Sequence, residues 1–128
     1  MANKLYTRGD DSAIEFVIGD FTTAISTGVK GYVEIPFDCY IVEQSLGADQ
    51  AGDLVVDLWV DSYANYPPTV GDSICASAKP TLSSSDKDQD SDLTGWTRQL
   101  RKGQWLGINV DSATTVTGAT MSLKVRKT

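Results

Sequence analysis

Apolar side chains recur at every second position through most of this chain, and that period admits few folds. Ile14, Phe16 and Ile18 alternate with Glu15 and Val17. Val33, Ile35, Phe37, Cys39 and Ile41 hold alternate positions across Pro36, and Leu54, Val56, Leu58 and Val60 alternate with Val55, Asp57, Trp59 and Asp61. Leu106, Ile108 and Val110 precede Ala119, Met121, Leu123 and Val125, the last set interleaved with Ser122, Lys124 and Arg126. Each run reads as a half-buried antiparallel strand. Parallel strands would be continuously apolar and joined by amphipathic helices, and neither is present. Turn-forming residues at Thr27-Gly28, Gly47, Ala51-Gly52-Asp53, Pro67-Pro68, Thr94-Gly95, Lys102-Gly103 and Thr117-Gly118 punctuate the runs at sandwich spacing. The expectation is an all-β chain: an antiparallel β-sandwich, jelly-roll-like, of seven or eight short strands in two sheets.

Local features refine this. Pro36 requires an edge, a bulge or a strand break, so the chain turns a corner between Ile35 and Tyr40. One helical turn is expected from Ser73 to Ala78, with Asp72 as its N-cap. Thr81 to Asp92 (TLSSSDKDQDSD) reads as a long polar surface loop. Residues 1–12 show no period and read as an N-terminal arm, leaving a single domain over 13–128.

At 128 residues the scaling laws have a single compact domain bury roughly two-thirds of its unfolded surface, enough to fold without metal or disulfide. The net charge of −6, with no Lys/Arg run longer than two, argues against a nucleic-acid partner. No stretch approaches the 18 apolar residues of a membrane span, and Met1 to Arg8 lacks a signal-peptide core, so synthesis in a cytoplasm is expected. Histidine is absent, which removes the Ser-His-Asp and Cys-His arrangements, His-ligated zinc and the commonest general base.

The remaining chemistry is sparse. Asp86, Asp88, Asp90 and Asp92 place carboxylates at every second position, the pattern of a weak calcium candidate. Ser91 and Thr97 stand where an EF-hand needs Gly and Glu, and Lys87 in their midst favours a solvated acidic loop. Asp57 and Asp61 flank Trp59 on one strand face, an arrangement a sugar site can use, but no motif gives any carboxylate pair a catalytic role, so no enzyme is expected. Arg8-Gly9-Asp10 spells an integrin-recognised tripeptide, read here as a chance match. Cys39 and Cys75 suit buried thiols, and a bridge through either is left open. Strand parity turns Val17, Val55, Trp59 and Trp105 away from the core, with Tyr63 and Tyr66 close by. Exposed aromatics of this kind mark a protein contact or a sugar platform, unless loops fold over them as a satellite core.

Several motifs occur in fixed order: Gly31-Tyr32-Val33-Glu34-Ile35-Pro36-Phe37, Tyr63-Ala64-Asn65-Tyr66-Pro67-Pro68-Thr69, Ala78-Lys79-Pro80-Thr81-Leu82-Ser83, Leu93-Thr94-Gly95-Trp96, and Asn109 through Thr117 (NVDSATTVT). With them the chain, from about Ala13 to Thr128, resembles a module recurrent in virion proteins of tailed bacteriophages, found in head-decoration and tail-fibre chains. The resemblance implies a structural protein, a β-sandwich and a homotrimer, with no catalytic residue and no cofactor. A free-standing module suits a capsid decoration protein, made in the host cytoplasm and bound to the major capsid protein on the virion exterior. Lys4, Leu5, Tyr6 and Arg8 would then be arm contacts, and Val17, Val55, Trp59, Tyr63, Tyr66 and Trp105 subunit or shell contacts. The alternative is a tail-fibre or baseplate tip that binds host-surface glycan.

Overall fold

The computed structural model describes residues 10–128. Seven antiparallel strands account for the alternating runs: β1 (Asp11–Gly19), β2 (Gly28–Glu34), β3 (Cys39–Asp61), β4 (Thr81–Asp90), β5 (Gln99–Leu100), β6 (Trp105–Ala113) and β7 (Gly118–Lys127). They form one curled sheet in the order β1-β7-β3-β6-β2, with β4 and β5 also paired to β3. The result is an all-β, sandwich-like domain. β1 begins at Asp11, inside the stretch read as an arm, because Asp11 pairs with Arg126 of β7.

The sheet is organised by β3, which is 23 residues long where two short strands were expected. Its first half, Cys39–Ala48, pairs with β7, and its second half, Leu54–Asp61, pairs with β6. The bend between them falls at the polar, glycine-rich stretch read as a turn. There the β6–β7 connection locks onto it: the Thr114 N–H donates to the Asp53 carbonyl at 2.9 Å, and Gln50 Nε2 donates to the Thr115 carbonyl at 2.8 Å. Gly52 is needed at this crossing, since a Cβ would lie 2.5 Å from Thr115 Oγ1 and 3.0 Å from the Thr114 carbonyl.

Period two puts Ile14, Ile18, Leu46, Leu54, Val56, Leu58, Leu106, Ile108, Val110, Met121, Leu123 and Val125 into a single buried cluster, and the register shift between Ile41 and Glu43 brings Ile41 into it as well. Pro36 lies in the break between β2 and β3, where its missing N–H disturbs no ladder.

Two local expectations are corrected. Thr81–Asp90 is not a loop but an edge strand, with Leu54 opposite Leu82 and Gln44 opposite Asp90. Backbone pairing to β3 overrides the low strand propensity of its Ser and Asp residues. Ser73–Ala78 is not helical, and Ala76 adopts a left-handed φ of 51°. The turn lies earlier, a 3-10 turn at Val70–Asp72. Asp72 closes its capping box with Thr69, taking the Thr69 N–H at 2.8 Å, and so is not an N-cap.

Candidate interaction surface

Residues 62–80 leave β3, pass over Gly107 of β6 at Pro68 and return alongside β3. The Ile74 N–H donates to the Leu58 carbonyl at 2.9 Å, and Ser73 bridges to Trp59. Trp59 does face away from the core, as parity requires, yet it is only 9% exposed because this flap covers it. Of the two readings of the outward aromatics, Trp59 therefore follows the satellite core.

Beneath the flap, Asp57 is 1% exposed and organises the contact. Its carboxylate accepts from Trp59 Nε1 at 2.9 Å and from Ser73 Oγ at 2.6 Å. Lys79 Nζ lies 3.7 Å from the same group and 2.8 Å from Asp111 Oδ2. Hydrogen bonding to Asp111, followed by attraction to Asp57, raises the Lys79 pKa and keeps it charged. Asp61, four residues on, does not join Asp57. It accepts from the Ser62 N–H at 2.7 Å and from Asn65 Nδ2 at 3.2 Å, bonds that lower its pKa. Trp59 thus has no open face against which these carboxylates could hold a sugar.

The other aromatics divide. Trp105 is half-buried, and Tyr66 stands edge-on to it at 5.1 Å and to Tyr32 at 5.3 Å. This ladder is closed over by Pro68, whose Cγ lies 3.3 Å from where a Cβ on Gly107 would be. Tyr63 is 77% exposed, Tyr66 remains partly open, Val17 on β1 is 56% exposed and Val55 is half-buried. Lys4, Leu5, Tyr6 and Arg8, like the first two residues of Arg8-Gly9-Asp10, lie outside the described residues.

Among the described residues no group of three or more carboxylates or thiols is placed to hold a metal ion. Two of the four aspartates of the calcium candidate serve a neighbour or the backbone: Asp88 Oδ2 accepts from Gln44 Nε2 at 2.8 Å, and Asp90 Oδ1 from the Asp92 N–H at 2.9 Å. Cys39 and Cys75 are free and buried. Burial pushes the Cys75 thiol up to about 12 and raises that of Cys39, so neither is a thiolate at neutral pH.

The chain matches no family model and no curated protein. Among solved structures, a chain in the capsid of Ralstonia phage GP4 is similar with a TM-score of 0.51 at 11% identity, covering 94% of this chain and 86% of that one. A chain in the structure of infectious bursal disease virus, Gx strain, gives a TM-score of 0.29 at 8% identity, over 92% of this chain and 37% of that one. The first likeness is one of fold. The all-β domain described above is an architecture that also occurs in a phage capsid.

Proposed function

We propose that this protein is a structural component of a tailed-bacteriophage virion, a decoration protein that binds the outside of the assembled head as a homotrimer. The observation that carries this reading is the end-to-end likeness to a capsid chain, in which nearly all of both chains is covered. The ordered motifs quoted above point the same way. Exposed Val17, Tyr63 and Tyr66, with half-buried Val55 and Trp105, supply apolar area for subunit or shell contact. Trp59 acts beneath the flap rather than at a contact. Lys4, Leu5, Tyr6 and Arg8 precede β1 and would extend the contact onto the shell. A protein of this kind acts by mass action: it binds the closed shell and not its separated subunits, so each bound copy stabilises the shell.

Imaging the virion by cryo-electron microscopy tests the proposal. Trimeric density on the head that accommodates this fold is the expected result. Density confined to the tail or baseplate would replace it with the glycan-binding tip, and absence from the particle would end both.

A further inference from the structure

Cations are unevenly distributed over this acidic chain. Cys39 of β3 pairs with Leu100 of β5 on one side and Lys127 of β7 on the other, which gathers residues 34–40, 98–104 and 126–128 at one end of the sandwich. Three hydrogen bonds fasten that end: Gly103 N–H to the Ile35 carbonyl at 2.9 Å, Lys102 N–H to the Asp38 side-chain Oδ1 at 2.8 Å, and Lys127 N–H to the Asp10 carbonyl at 2.7 Å. The last of these also brings Asp10, and with it the start of β1, to this end.

The end holds five cations (Arg98, Arg101, Lys102, Arg126, Lys127) and four carboxylates (Asp10, Asp11, Glu34, Asp38), a balance of +1. Elsewhere in residues 10–128, four cations face thirteen carboxylates, a balance of −9. Arg126 pairs with Asp11, whereas Arg98, Arg101, Lys102 and Lys127 form no salt bridge among the described residues. Two of these four rest on aromatic rings, Arg98 at 4.8 Å from the Tyr40 centroid and Lys127 at 5.0 Å from that of Phe37. Arg101 and Lys102 line a groove with Tyr63, the most exposed large apolar side chain among the described residues.

We infer that this end is the face that docks on the phage head, and that the shell surface it meets is acidic. The inference rests on the decoration reading. Uncompensated cations in a protein of net charge −6 call for carboxylates on the partner. Arginine and aromatic side chains held on a fastened scaffold are what a specific protein contact uses.

The test uses the full chain and purified heads from phage lacking its gene, with binding measured by co-sedimentation. R101E/K102E reverses two exposed charges and leaves their backbone hydrogen bonds in place. It is compared with K30E/K87E, which changes net charge equally but at positions away from this end, and thermal melts establish that both variants fold. The expected result is binding at least about tenfold weaker for R101E/K102E, near wild type for K30E/K87E, and weaker for wild type as salt rises. Wild-type affinity in R101E/K102E, or equal weakening in the two doubles, would overturn the inference and leave decoration standing. Failure of the wild type itself to bind would overturn decoration too. Loss of retention on immobilised polygalacturonate by R101E/K102E, with head binding intact, would assign the end to an anionic glycan and overturn the inference.

Discussion

Replacing Asp57 by alanine separates the flap from the sheet more directly than any other single change. The carboxylate is 1% exposed and takes hydrogen bonds from two groups, Trp59 Nε1 at 2.9 Å and Ser73 Oγ at 2.6 Å. Both donors are left without a partner in Asp57→Ala, at about 1–3 kcal/mol each when buried. Lys79 adds little, since it is one-third exposed and keeps Asp111 at 2.8 Å. The expected loss is therefore about 3–5 kcal/mol, or a fall in Tm of about 10–20 °C for a domain of this size. Ser73→Ala alone should cost about 1 kcal/mol, and in the Asp57→Ala background almost nothing, because its partner is already gone. Calorimetry gives the stabilities, and the labelling rate of Cys75, a buried residue of the flap itself, reports local opening. Stability within about 1 kcal/mol of wild type in Asp57→Ala, with Cys75 still protected, would refute the view that this carboxylate holds the flap down.

Three further outcomes are expected. Gly19→Ala should cost about 2–4 kcal/mol in a denaturant melt, because φ is +86° there and a Cβ would stand 2.3 Å from the Thr117 carbonyl oxygen, rigid backbone that cannot yield. Asp49 has its pKa lowered from 3.8, chiefly by the Thr117 hydroxyl and then by the Gly118 and Thr117 N–H groups. The native state therefore binds fewer protons than the unfolded chain, and the stabilisation, present above pH 3.8, is lost as pH falls through the lowered value. Asp49→Asn should flatten that acid limb in a series of melts against pH. Finally, Ellman's reagent at pH 8 should find neither Cys39 nor Cys75 in the native protein and both after denaturation, since both thiols are buried and raised in pKa.

The strands were legible where one face is buried and the other wet. Ile14 to Ile18 alternate because each side chain faces either core or solvent, and Leu54 to Leu58 and Met121 to Val125 keep the period although Asp57 and Ser122 on their outward faces are covered. β4 was not legible, for only Leu82 of its ten residues is buried and the rest carry no period to detect. The continuity of β3 was hidden for a related reason: Gly47 to Asp53 is polar because the strand bends there at the surface, and its bonding partners come from residues 114 and 115. Parity gave the side on which Trp59 stands but not its burial, because the segment that returns beside it, at Ser73 and Ile74, is distant in sequence. The Val70–Asp72 turn did leave a signal, Thr69-x-x-Asp72, a short form of the capping box. The cationic end left none, because Tyr40, Arg98, Arg101 and Lys127 are scattered along the chain and only the pairing around Cys39 assembles them.

The single passage of β3 through both halves of the sheet bears on how the domain comes apart. β7 and β6 each pair with a different half of the same 23-residue strand, so melting either half strips the other of a neighbour. The ladder has no internal seam at which one layer can open while its counterpart persists. Amide protons of Ile41 and Leu46 should consequently exchange with deuterium at the same global free energy as those of Val56 and Leu58, and a subunit pulled at its ends should yield in one step rather than two.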